Sequence, residues 1–78
     1  MEFRPAALKS LRRLSRTDRE RILDAVARLP MGDTKRLQGR PGEWRLRVGD
    51  WRVRFRRDNT ARVIDVLLVL PRGGAYQP

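Results

Sequence analysis

The chain has 78 residues, carries 19 Lys+Arg against 9 Asp+Glu for a formal net charge of +10, and contains neither cysteine nor histidine. That composition excludes disulfide frameworks, thiolate metal sites and the imidazole that most often serves as metal ligand or general acid–base group. Its length allows one domain, 1–78, whose small core would gain from a stabilising partner.

Seventeen of the 19 basic residues are arginine, which grips phosphate through two parallel N–H donors where lysine offers a point charge. Nucleic acid is therefore the leading partner class, an acidic protein the second and a membrane surface the third. Val63–Leu70, the longest apolar run, contains Asp65 and is too short to span a bilayer, and Met1-Glu2-Phe3-Arg4 lacks the apolar core of a signal peptide. The expectation is a cytoplasmic protein without metal, cofactor or membrane contact.

Glu2-Phe3-Arg4 reads as a short edge strand leading to Pro5, which suits the first turn of a helix. Ala7, Leu8, Leu11 and Leu14 then recur at helical spacing, with Lys9, Arg12, Arg13 and Arg16 between them. Thr17-Asp18-Arg19-Glu20 has the form of a capping box, with Thr17 as N-cap and Glu20 three residues on. The second helix it opens carries a stripe of Ile22, Leu23, Val26 and Leu29 and is stopped by Pro30 and Gly32. The short connection predicts an antiparallel helical hairpin. Met31 to Glu43, with Gly32, Gly39, Pro41 and Gly42, reads as a long loop suited to function or partner binding.

Trp44 to Arg56 alternates apolar residues and arginine with a period of two, broken at Gly49-Asp50. This predicts two strands joined by a two-residue hairpin turn. Pairing them through that turn sets Val48 against Trp51, Leu46 against Val53 and Trp44 against Phe55, all on one face. The other face sets Arg47 against Arg52, Arg45 against Arg54 and Glu43 against Arg56. Like charges directly across a ladder are destabilising, so the four arginines Arg45, Arg47, Arg52 and Arg54 on one plate point to an anion that sits on it. A solvated face covered by arginine stems is the plainer alternative. Arg57-Asp58-Asn59-Thr60-Ala61 predicts a second turn, and Val63–Leu70 a strand at the sheet centre, covered on both faces and stopped by Pro71. The predicted fold is α+β, β-α-α-β-β-β, an antiparallel sheet with an N-terminal helical hairpin packed on one face. Trp44 and Trp51 fall on the helix side as core residues, and Asp65 is expected to pair with an arginine of the sheet.

Four segments, in this order, resemble the RelE/ParE superfamily of bacterial toxin–antitoxin toxins over nearly the whole chain. Ala6-Ala7-Leu8-Lys9 before Leu11, with Arg21-Ile22-Leu23, resembles the family's helical hairpin. Lys35-Arg36-Leu37-Gln38-Gly39-Arg40-Pro41-Gly42 is similar to its basic approach to the sheet. Trp44 to Val53 resembles its hairpin, and Arg72-Gly73-Gly74-Ala75-Tyr76 its terminal segment. The resemblance implies one of two activities. RelE-type members enter the ribosomal A site and cleave mRNA by attack of a 2′-hydroxyl on the adjacent phosphate. ParE-type members share the fold, lack the nuclease set and inhibit DNA gyrase. A catalytically inactive member is a further possibility.

On the RelE-type reading the catalytic residues are Arg52, Arg72 and Tyr76, and Arg45, Arg47 and Arg54 bind RNA. The implied partners are the ribosome with its mRNA and a small acidic antitoxin, in a complex that can bind operator DNA. The antitoxin would contact a helix face or sheet edge through apolar groups and the arginine plate through acidic ones. Cleavage needs a base for the 2′-hydroxyl, positive charge for the pentavalent phosphate and an acid for the leaving 5′-oxygen. Arginine stays protonated and supplies only charge. The family often has histidine where Pro71 stands, so Tyr76, Glu43 and Asp50 are the remaining proton-transfer candidates. Each also has a plainer role: a base-stacking or terminal residue, an ion pair with Arg56, and a turn residue.

Overall fold

A computed structural model of the chain describes residues 1–58 and 63–71. Seven elements follow one another: β1 (Glu2–Phe3), α1 (Pro5–Arg13), α2 (Arg16–Ala27), β2 (Thr34–Arg36), β3 (Glu43–Val48), β4 (Trp51–Asp58) and β5 (Val63–Pro71). The strands form one sheet in the order β1-β5-β4-β3-β2, and both helices pack on one of its faces, α1 against β5 and α2 against β3. The core lies between the layers. Ala7 and Leu11 of α1 and Ile22 and Val26 of α2 meet Leu46, Val53, Phe55, Val66 and Val69 of the sheet, all of them buried.

The helix boundaries follow from backbone groups that need partners. Pro5 stands at the first helical position, where its missing N–H costs nothing. Ser15, not Thr17, caps α2: its Oγ accepts a hydrogen bond from the Asp18 amide at 3.1 Å. Starting α2 two residues early leaves only Leu14 and Ser15 between the helices and turns Arg19 back onto α1. Its Nε donates to the Leu11 carbonyl at 2.9 Å and its Nη2 to that of Leu14 at 3.0 Å, so one cation satisfies the open end of α1. Leu23, expected in the core, is instead 39% exposed. With Phe3, Leu8, Leu11, Arg12 and Arg19 it lines an apolar groove of about 340 Å³.

The hairpin register is the one that alternation predicts, from Glu43 opposite Arg56 to Val48 opposite Trp51. The sheet departs from the sequence expectation in three ways. First, it is mixed: β1 runs parallel to β5, with Glu2 beside Asp65 and Phe3 beside Val66. Second, the expected loop 31–43 contains β2, antiparallel to β3, with Lys35 opposite Arg45 and Arg36 opposite Trp44. Three residues are too few to display a period of two, and β2 forms because the outer edge of β3 would otherwise carry unpaired backbone groups. Third, β4 and not β5 is the central strand. A register shift between Arg54 and Phe55 lets β5 slip by one residue, and most of its apolar side chains are only half-buried. Arg57 and Asp58 belong to β4, and the rest of the second predicted turn lies outside the described residues. No helix among the described residues is long and apolar enough to cross a membrane.

Candidate anion-binding face

Strand parity and register gather six cations on the sheet face turned away from the helices. Arg45 and Arg47 come from β3, Arg52, Arg54 and Arg56 from β4, and Lys35 from β2. They form rows across the sheet: Lys35–Arg45–Arg54 in the middle and Arg47–Arg52 next to the Gly49-Asp50 turn. Leu68 and Leu70 of β5 continue these rows beside Arg54 and Arg52. That position lets the arginine stems lie against apolar neighbours, which accounts for burial on a strand whose guanidinium groups would otherwise seek water.

The repulsion expected between facing arginines is relieved residue by residue. Arg54, 5% exposed, donates from Nη2 to Glu43 Oε1 at 2.7 Å, and Glu43 is itself 8% exposed. The second oxygen of Glu43 stands 3.8 Å from Arg56 Nη2. The pairing of Glu43 with Arg56 expected from parity is thus the weaker of two, and Arg54 takes the short bond. Arg45 reaches Asp33 Oδ1 at 3.5 Å. Arg52, 8% exposed, donates from Nη1 to the carbonyls of Gly49 at 3.2 Å and Trp51 at 3.1 Å. Arg47 is exposed, and its guanidinium has no hydrogen bond or ion pair among the described residues.

The arginines therefore differ in what they can offer a ligand. Arg54 is committed to Glu43 and braces the face from within. Arg52 is held against the turn, with its second Nη free of bonds among the described residues. Arg47 and Lys35 project cations with no acidic partner among the described residues. The arrangement can hold an anion over the turn-proximal half of the face, where charge is least compensated.

The family model described as the ParE toxin of the type II toxin–antitoxin system ParDE matches residues 1–76. The chain belongs to this toxin family. Among solved structures it is similar to an archaeal RelE–RelB complex from Pyrococcus horikoshii OT3, with 27% identity, 92% of each chain covered and a TM-score of 0.77. It is also similar to the RelBE2 toxin–antitoxin complex of Mycobacterium tuberculosis, with 29% identity, 90% of this chain and 93% of that chain covered and a TM-score of 0.62. The intact RelBE complex of E. coli, at 24% identity, 90% and 92% coverage and a TM-score of 0.70, shares the fold. Among curated proteins none matches the chain.

The toxin's other candidate positions fall as follows. Arg72 and Tyr76 lie outside the described residues. Asp50 is exposed in the turn. Glu43 is buried and holds Arg54 through Oε1 at 2.7 Å, with Oε2 3.8 Å from Arg56. Asp65 pairs with Arg4, which precedes α1, at 3.5 Å, and not with a sheet arginine. Trp44 and Trp51 are half-buried against the core, and Trp44 also carries the Arg36 guanidinium 5.3 Å from its ring centroid. No group of three or more acidic side chains stands together as a metal site among the described residues. Lys35 escaped the sequence reading because it sat in a segment taken for loop, where parity has no meaning.

Proposed function

We propose that this toxin arrests growth by cutting mRNA on the ribosome. The observation that carries the reading is the segregated cationic face, with its uncompensated charge at Arg47 and Arg52 beside the hairpin turn and at Lys35 in the middle row. In this scheme the 2′-hydroxyl oxygen attacks the adjacent phosphorus. A 2′,3′-cyclic phosphate forms, the bond to the 5′-oxygen breaks, the hydroxyl proton passes to a base and the leaving oxygen takes a proton. Arg52, Arg72 and Arg47 hold the phosphate and its neighbours in line and offset the added negative charge. Tyr76 is the proton-transfer or base-stacking group in this scheme, a phenol being a group that nearby cations can acidify and that stacks on an unpaired base. Arg45 stands behind them with Lys35, and Arg54 supports the face through Glu43 instead of touching RNA.

A cognate antitoxin completes the reading. The P. horikoshii and M. tuberculosis structures are complexes of a toxin with its antitoxin, and this chain offers an acidic partner both the basic face and the apolar groove between the helices. The complex is expected to bind operator DNA. A second reading, inhibition of DNA gyrase without catalysis, is favoured by one observation: the matching family model is that of ParE.

Primer-extension mapping of a defined mRNA on purified translating ribosomes tests the two. Cuts confined to the A-site codon, lost in Tyr76→Ala and weakened at least tenfold in Arg47→Ala, are expected. Intact mRNA at a toxin concentration that arrests cells, together with a DNA-damage response, would move the assignment to gyrase.

A further inference from the structure

Arg21 lies on the helix layer, yet its guanidinium rests on the sheet's hairpin turn. An ideal Cβ built on Gly49 would meet Arg21 Nη2 at 2.9 Å, so the glycine, at φ +58°, leaves room for the side chain. Arg21 has acidic neighbours on its own helix in Asp18, Glu20 and Asp24, and Asp50 follows Gly49. None of them pairs with it: Glu20 bonds Arg16 at 3.0 Å, and Arg21 has no ion pair among the described residues. From the other layer, Arg52 Nη1 reaches the carbonyl of the same Gly49 at 3.2 Å. Two guanidinium groups from different layers therefore converge on one residue, and that of Arg47, directly opposite Arg52, has no partner among the described residues. Like charges gathered in this way repel one another, and an anion seated between them relieves that repulsion.

We infer that the turn is a second phosphate-binding point, where Arg21 takes the phosphodiester next to the one held by Arg52, so that a single RNA strand leaves the sheet face around Gly49. The inference rests on the ribonuclease reading above and adds to it a binding residue from the helical hairpin. Arg21 binds RNA; it takes no part in proton transfer.

The test uses the full chain and a fluorescein-labelled six-nucleotide RNA, with affinity followed by anisotropy over a range of salt. Arg21→Ala should bind roughly fivefold more weakly at low salt. Its slope of log K against log salt should be shallower by about 0.7, the value of one phosphate contact on a single strand. Gly49→Asn makes the independent check. Asparagine tolerates positive φ in a hairpin turn, while its Cβ displaces Arg21 without removing any charge; it should reproduce the Arg21→Ala slope. Arg21→Lys should restore most of the slope, and Arg13→Ala on the exposed end of α1 should lose less than Arg21→Ala. Wild-type slopes in Arg21→Ala and Gly49→Asn, with RNA still bound, would overturn the inference and leave the function standing. No RNA binding by the wild-type chain would overturn the inference, and the function would then be decided by the ribosome assay above. A loss seen with a polyglutamate peptide but not with RNA would overturn the inference in favour of an acidic protein segment at the turn.

Discussion

Replacing Glu43 by alanine would leave the Arg54 guanidinium, 5% exposed, without the carboxylate that meets it at 2.7 Å. Breaking a buried pair from one side costs about 3–5 kcal/mol, because the remaining charge is stranded in a poorly solvated site. Urea denaturation of Glu43→Ala should show a loss of that size. The double variant Glu43→Ala/Arg54→Leu should recover most of it, since the uncompensated charge is gone. An equal loss in both variants would mean that Glu43 acts through its backbone surroundings, where its carbonyl accepts from Leu37 N at 3.0 Å and its amide donates to Arg40 at 3.0 Å. Arg47→Ala is the contrasting case. An exposed arginine without a partner contributes little to stability, so its thermal midpoint should stay within about 2 °C of wild type while RNA affinity falls. The two substitutions separate the arginine that builds the face from the arginine that faces the ligand.

Among the elements, the helical hairpin is secured by polar contacts at its corner as much as by its apolar stripe. Ser15 caps α2 and Arg19 closes α1 with bonds to the carbonyls of Leu11 and Leu14. Ser15→Ala should cost about 1 kcal/mol as a lost N-cap. Arg19→Ala should cost about 1–2 kcal/mol, because it removes the guanidinium from the Leu11 and Leu14 carbonyls and leaves that of Leu11 the bond from the Leu14 amide at 3.2 Å. For a chain of this size each kcal/mol lowers the thermal midpoint by roughly 4–8 °C. Thr17→Ala should be nearly silent; a loss as large as that of Ser15→Ala would return the cap to Thr17. The sequence points to Thr17, because Thr17 and Glu20 have the spacing of a capping box, and the cap lies two residues earlier at Ser15. The choice was made by the distance between the helices, which have to turn within two residues to lay Ala7, Leu11, Ile22 and Val26 on one sheet.

For the whole molecule the dominant facts are a formal charge of +10 and a core that, among the described residues, holds nine buried apolar side chains. Self-repulsion opposes compaction and is screened by salt. The thermal midpoint should therefore rise by several degrees between roughly 30 mM and 0.5 M sodium chloride; a fall would show that ion pairs outweigh repulsion. At one fixed salt concentration, a six-nucleotide RNA present at about ten times its Kd should add about 1.4 kcal/mol by linkage, since only the folded chain presents the face. Phe55, buried at the centre of the sheet, is the anchor of that core: Phe55→Ala should cost about 3–5 kcal/mol, enough to unfold most of a domain this small.

How far the amino-acid order reached can be followed from particular residues. Alternation of arginine with Trp44, Leu46, Val48, Trp51, Val53 and Phe55 determined the hairpin, its register and the existence of a one-sided cationic face, because a period of two leaves a strand no other way to bury its apolar half. Helical spacing of Ala7, Leu11, Ile22 and Val26 determined the helix pair in the same manner. Only the tertiary structure decided which arginines remain available. Glu43 meets Arg56 at 3.8 Å but gives its short bond to Arg54, Asp65 took Arg4, and Arg52 turned to the carbonyls of its own hairpin. Those choices depend on which long side chains come within about 4 Å of each other after the strands twist and the helices dock. The same holds for β2, recruited by the open edge of β3, and for β1, which pairs in parallel because the chain crosses the sheet through both helices before returning beside it. Periodicity along a chain assigns a residue to a face; which neighbour it meets there is set by packing between segments that are distant in the chain.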